Sequence, residues 1–115
     1  MKEQNLILEK SMEFAVRIVN LHKYLCDEKQ EYVLSKQLLR SGTSIGANVR
    51  EAKYGYSKND FIAKMSISLK EASETEYWLE LLYRTEYLTV EQYESVRTDC
   101  GEIAKILTAI VKSSK

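Results

Sequence analysis

Residues 37–78, QLLRSGTSIGANVREAKYGYSKNDFIAKMSISLKEASETEYW, decide the fold. Two seams at heptad spacing run through this stretch and its flanks. Leu34, Leu38, Ser41, Ile45, Asn48 and Ala52 precede Gly55; Ile62, Met65, Leu69, Ala72, Glu76, Leu79 and Tyr83 follow it. Apolar residues recurring every three or four positions mark amphipathic helices with one face turned to a core. Ser41, Asn48 and Glu76 occupy core-facing positions in these seams, where a polar group without a partner is costly. Gln37 and Arg40 adjoin them, and a guanidinium offers Glu76 a two-point partner. The expectation is a structural polar network of Gln37, Arg40, Ser41, Asn48 and Glu76 that fixes helix register.

The same periodicity extends in both directions and predicts four helices. The first runs from about Asn5 to Cys26, with Ile7, Phe14, Ile18, Leu21 and Leu25 on its stripe. After the polar turn Asp27-Glu28-Lys29-Gln30, the second reaches about Tyr54, where Gly55 is expected to end it in the left-handed conformation. Ser57, with Asp60 three residues on, caps a third helix reaching about Glu86. Thr89 and Gln92 form a capping box for the fourth, whose stripe is Tyr93, Val96, Cys100, Ile103, Leu107 and Ile110. Loops this short force neighbouring helices to be antiparallel. The chain therefore reads as all-α, an antiparallel up-down-up-down four-helix bundle occupying residues 1–115 as a single domain. Two helical hairpins that swap or dimerise are the alternative arrangement.

Composition agrees with a globular domain. The 115 residues are 44% hydrophobic and 30% charged, with no proline to interrupt helices. No apolar run approaches the roughly 20 residues that a membrane span needs, and the N-terminal patch is too short for a secretory signal. Cys26 and Cys100 are too few for a disulfide framework, so the expected location is a reducing cytoplasm. Leu8, Ala15, Val19 and Cys26 on the first helix exceed one seam, as do Ala104, Ile106 and Val111 on the fourth. They imply either a wide core face or a second apolar face for another subunit. Gly42 and Gly46 add a small-xxx-small step that lets backbones approach closely.

A formal net charge of zero hides a segregation. Residues 36–70 carry seven cations against Glu51 and Asp60, while residues 71–102 carry nine acids against Arg84 and Arg97. Antiparallel topology gathers Lys2, Lys53, Lys58, Lys112 and Lys115 at one end and Asp27, Glu28, Glu31, Glu86 and Glu91 at the other. Such a pattern is either a solvated mixture of charges or a basic foot that meets phosphate. Tyr54 and Tyr56 beside Arg50, Lys53 and Lys58 supply aromatic faces next to cations, as single-stranded nucleic-acid sites require. Against this, the sequence pI of about 6.6 lies well below that of dedicated nucleic-acid domains.

Catalytic chemistry finds little support. His22 and Cys26 make an i, i+4 pair, but no third or fourth metal ligand has matching spacing. Arg17 and His22 fit the loose R-x4-H pattern of the helical ribonucleases called HEPN domains, but Ile18 follows the Arg where those enzymes carry a polar residue. There is no glycine-rich phosphate loop, and no Ser or Cys nucleophile has a convincing His partner. The expectation is no catalytic residue, no metal and no cofactor.

Gln37-Leu38-Leu39-Arg40-Ser41, then Thr43 to Glu51 (TSIGANVRE), then Ser57-Lys58-Asn59-Asp60-Phe61 resemble a four-helix-bundle family. Its members include proteins encoded in intervening sequences of bacterial 23S rRNA genes, often labelled ribosomal proteins. The motif there looks like QLRRAA-x-SIPANIAEG followed by S-K-x-EF. Gly46 stands here for the usual Pro, Arg50 and Ala52 for Ala and Gly, and Asp60 for Glu. The resemblance implies a closed ring of bundles, most often a homopentamer, and a nucleic-acid role. A relative, the accessory variability protein of diversity-generating retroelements, is a pentameric barrel with a basic surface that binds nucleic acid and a reverse transcriptase; this chain departs from it in its neutral charge. The resulting expectation is a non-catalytic homo-oligomer associated with RNA or another nucleic acid through Arg50, Lys53, Tyr54, Tyr56 and Lys58. A protein-interaction adaptor is the alternative, and a ribonuclease using Arg17 and His22 the third.

Overall fold

The structure, a computed structural model, describes residues 2–115. Four helices follow one another: α1 (Lys2–Lys29), α2 (Leu34–Lys53), α3 (Lys58–Arg84) and α4 (Val90–Ser114). At a rise of about 1.5 Å per residue, helices of 20 to 28 residues run most of the length of a molecule measuring 43 × 20 × 19 Å. Among the described residues α1 packs on α2, α2 on α3, α3 on α4 and α4 on α1, while the backbones of the diagonal pairs stand farther apart.

Paired residues give the direction of each contact. Ile18 packs onto Gly42 and Ser11 onto Gly46. Ser41 meets Thr75, and Ile45 meets Ser68. Cys100 donates to the Ala72 carbonyl, and the ring of Tyr83 stacks on that of Tyr93. Lys10 pairs with Glu102, and Arg17 with Asp99. In every pair one residue number rises as the other falls, so all four neighbouring contacts are antiparallel. The ring of contacts closes as an up-down-up-down bundle around Ile18, Leu25, Leu38, Ile45, Leu79 and Leu107, all fully buried.

Hydroxyls occupy the buried seam between α2 and α3, and the charged pairs of Arg40 with Glu71 and Glu74 and of Lys64 with Glu51 span its edges. The buried column of α3 is Met65, Ser68, Ala72, Thr75, Leu79 and Leu82. Leu69, Glu76 and Tyr83, which the sequence placed on the seam, flank it half-buried. The expected seam is in phase at Met65, Ala72 and Leu79 but one residue late elsewhere, with Leu69 in place of Ser68, Glu76 in place of Thr75 and Tyr83 in place of Leu82. Small hydroxyls win the first two of those positions because they let the helices approach and can bond to the facing helix. Thr75 Oγ1 is hydrogen-bonded to Ser41 Oγ at 2.9 Å, and Ser68 Oγ donates to the Ile45 carbonyl at 2.8 Å. Each buried hydroxyl is thereby satisfied, as a low-dielectric interior demands.

The turns differ from expectation in two ways. Gly55 has no positive φ; the left-handed residues are Gln30 (φ 51°) and Glu86 (φ 70°). A Cβ at Gly55 would meet the Asp60 carboxylate, the free end of a flexible side chain, and lie 3.3 Å from the Ala52 carbonyl oxygen. Glu86 completes a C-terminal motif in which Tyr87 N–H donates to the Leu82 carbonyl at 2.9 Å. Glu31, expected among the exposed acids of one end, is buried instead. Its Oε2 accepts from Val33 N–H (3.2 Å) and Leu34 N–H (3.0 Å), and its Oε1 from Ser35 N–H (2.7 Å), so it caps α2. The Ser57 cap on α3 and the Thr89–Gln92 capping box on α4 form as the sequence indicates.

Candidate nucleic-acid interface

The antiparallel ring puts the chain termini and the turn between α2 and α3 at one end of the bundle. Arg50 and Lys53 are exposed in the last turn of α2, Tyr54 follows at its C-terminal boundary, and Lys58 opens α3. Tyr54 is 72% exposed and Tyr56 fully so, which leaves both rings free to take a partner. The Lys53 ammonium stands 5.6 Å from the centroid of the Tyr54 ring, within cation–π range.

Arg50, Lys53 and Tyr54 form one wall of an open groove of about 570 Å³ whose other wall is Asn5, Leu8, Glu9 and Met12 of α1. The structure thus brings three of the five expected residues together. Tyr56 and Lys58 stand on the adjoining turn and form no side-chain hydrogen bond or ring contact with them. Sequence reasoning missed the α1 wall, although Leu8 and Met12 are an i, i+4 apolar pair and antiparallel pairing sets the start of α1 against the end of α2.

Charge partners sharpen the picture. Among the described residues, Arg50, Lys53 and Lys58 take part in no ion pair. Some other cations are neutralised, Lys64 by Glu51 at 2.9 Å, Arg17 by Asp99 at 2.6 Å and Arg84 by Glu80 at 2.8 Å, while Lys23, Lys29, Lys36 and Lys70 likewise take part in no ion pair among the described residues. With Glu31 turned inward, the acidic end retains Asp27, Glu28, Glu86 and Glu91 as exposed carboxylates.

The five residues expected as a polar network fall into separate groups. Ser41 joins Thr75, and Asn48 donates to the Ser44 carbonyl of its own helix at 2.8 Å. Gln37 is exposed. Arg40 reaches Glu71 and Glu74, not Glu76, because those two carboxylates project one helical turn apart toward α2. Glu76 faces α4, near Gly101. The Trp78 indole N–H donates to Glu74 at 3.0 Å, and this bond, followed by the Arg40 guanidinium, holds the Glu74 carboxyl below the usual carboxylate range. A carboxyl whose pKa falls on folding stabilises the fold above its unfolded pKa of about 4.3 and loses that contribution as acid protonates it. Trp78 is the sole tryptophan, so its emission should shift in a step centred below that value, where the folded carboxyl takes up its proton. In Glu74→Gln an acid titration followed by fluorescence should show no such step.

The ribonuclease pair is not assembled. Arg17 faces α4, donating to Asp99 and to Ser95 Oγ at 2.6 Å each. His22 faces α2, with Nδ1 3.3 Å from the Ser35 carbonyl. Cys100 is buried, which pushes its thiol up to about 12 and leaves it a poor nucleophile. Among the described residues no group of three or more His, Cys, Asp or Glu could hold a metal ion, and no helix is long and apolar enough to cross a membrane.

Fold and surface together define the class: an antiparallel four-helix bundle with a cationic, tyrosine-bearing end. A family model described as 23S rRNA-intervening sequence protein matches residues 3–109, and the chain belongs to that family. Among solved structures it is similar to a protein of unknown function from the S23 ribosomal protein family of Bacteroides thetaiotaomicron VPI-5482. The two are 63% identical with a TM-score of 0.95, over 96% of this chain and 98% of that one. Comparison with curated proteins gives no match.

Proposed function

We propose that this chain is a non-catalytic, homo-oligomeric accessory protein that associates with nucleic acid, RNA foremost, through the α2–α3 end of the bundle. The observation that carries this reading is the grouping of exposed Arg50, Lys53 and Lys58, which take part in no ion pair among the described residues, beside the exposed rings of Tyr54 and Tyr56. Cations left unpaired are available to displace counterions from a phosphate backbone, which is the main source of nucleic-acid affinity.

Self-association draws support from a different surface. Val16 on α1 and Ile67 and Tyr77 on α3 are large, apolar and exposed. Because α1 and α3 lie diagonally across the bundle, these residues present apolar surface on opposite sides. A front-to-back contact between unlike faces builds a ring where the rotation between copies closes and a filament where it does not, whereas a two-fold dimer would use one face twice. A pentamer is the favoured size, with a mass five times that of the 13.3 kDa chain.

Anisotropy titrations of a structured RNA over a salt series, with the assembly mass measured on the same sample, test both parts. The dependence of log affinity on log salt should steepen by roughly 0.7 to 0.9 per phosphate contacted. Reversing Arg50, Lys53 and Lys58 to Glu should flatten that slope by about two to three. Absence of binding at low salt would replace this reading with that of a protein-interaction adaptor.

A further inference from the structure

The groove between α1 and α2 has a composition that phosphate recognition alone does not explain. One wall offers Arg50 and Lys53, but the facing wall offers Leu8, Met12 and a carboxylate, Glu9. A phosphate backbone running along its floor would meet Glu9 with like charge. A backbone following Arg50 and Lys53 avoids that repulsion and turns its bases toward α1.

We propose that this groove receives one unpaired nucleotide, guanine preferred, its base stacked on Tyr54, its Watson–Crick edge on Glu9 and its phosphate on Arg50 and Lys53. The inference rests on the nucleic-acid reading above and narrows it to single strands. Three features of the groove carry it. Tyr54 presents a ring that is 72% exposed, and Lys53 lies over the same ring. An aromatic face beside cations binds bases whose own faces are uncovered; in a duplex both faces of each base are covered by its neighbours. Leu8 and Met12 supply apolar surface in the same groove, suited to the rest of the base. Glu9, ionised, only accepts hydrogen bonds. Among the bases, guanine alone sets two adjacent donors, N1–H and the N2 amino group, on its Watson–Crick edge, and that edge is free only in an unpaired strand. Asn5, on the same wall, adds an amide that both donates and accepts. The groove, at about 570 Å³, has room for one nucleotide.

The test titrates the intact protein with a short guanine-containing strand, the same strand with adenine in place of guanine, and the blunt duplex of the first, in RNA and in DNA. The expected result is at least roughly tenfold tighter binding of the guanine strand than of its duplex. Tyr54→Ala should weaken strand binding about 5- to 150-fold, the range for one lost base–aromatic stack, while Tyr54→Phe retains it. Glu9→Gln should level the affinities of the guanine and adenine strands, since an amide serves either edge. A strand preference in either sugar supports the proposal, and the tighter sugar identifies the polymer. Equal binding of strand and duplex, equal binding of guanine and adenine strands by the parent protein, or an inert Tyr54→Ala would overturn it. If charge reversal at Arg50 and Lys53 still abolished binding in those cases, the nucleic-acid reading would survive without the groove. Failure of every strand and duplex to bind at low salt would remove both.

Discussion

Replacing Glu31 with Ala is expected to destabilise the bundle by about 3 kcal/mol, the cost of stranding the first backbone donors of α2. Helix α2 has no Ser, Thr, Asp or Asn at its N-terminal boundary; that position is Val33, which makes no side-chain cap. The three N–H groups of Val33, Leu34 and Ser35 are taken instead by the two oxygens of one carboxylate. A single capping side chain contributes about 1 kcal/mol. Here the acceptor is charged, lies at the positive end of a helix dipole, and is only 8% exposed, so water replaces it poorly. For a chain of this length the loss corresponds to a melting temperature lower by roughly 10–15 °C. Glu31→Gln keeps one acceptor oxygen and should fall between the two. Ser35→Ala removes the bond from Ser35 Oγ to the Glu31 carbonyl, at 2.7 Å, and a weak sulfur contact with Cys26 at 3.8 Å, and should cost about 1 kcal/mol. Urea denaturation of the three variants ranks them directly. A Glu31→Ala protein within about 0.5 kcal/mol of the parent, the scatter of ordinary surface changes, would show that the carboxylate is no cap.

That Glu31 escaped a reading of the sequence shows where local pattern stops being informative. It follows the polar turn Asp27-Glu28-Lys29-Gln30, so an exposed acid is the natural expectation. Its burial depends on three donors that converge only once α2 has begun. Helix α4 was legible throughout, because a capping box and an unbroken run of Val96, Cys100, Ile103, Leu107 and Ile110 agree, and all five are buried. In α3 the phase was half legible. Ser68 and Thr75 look like surface residues until a facing carbonyl and a facing hydroxyl are placed against them. The candidate site divides in the same way. Arg50, Lys53, Tyr54, Tyr56 and Lys58 are close in sequence and could be read as a group, whereas Asn5, Glu9 and Met12 join three of them only through the antiparallel docking of α1 on α2. Residues contributed by one stretch of chain are visible in sequence; those that fold together from distant stretches are visible only once the pairing register is fixed.

That register rests on two glycines, and the larger effect belongs to Gly42. A Cβ at Gly42 would stand 2.8 Å from both Cγ1 and Cγ2 of Ile18 and 3.3 Å from its Cβ. Ile18 is fully buried, and its branching at Cβ leaves little rotamer freedom with which to yield. Gly42→Val should therefore cost about 3 kcal/mol, even after the gain in helix propensity on losing a glycine. Ile18→Ala should cost a similar amount, about 3 to 4 kcal/mol, by opening a cavity. The two together should cost less than their sum by about 2 kcal/mol, since the valine methyls enter the space the isoleucine leaves. Gly46 supplies the contrast. A Cβ there would lie 3.3 Å from the Ser11 carbonyl oxygen and 3.4 Å from its hydroxyl, a misfit of a few tenths of an ångström. Gly46→Ala should accordingly be near neutral, with that strain set against roughly 1 kcal/mol of helix propensity. A thermodynamic cycle from urea denaturation of the single and double variants measures the coupling. Strict additivity of Gly42→Val and Ile18→Ala would mean that the close approach of α1 to α2 is not what requires glycine at position 42.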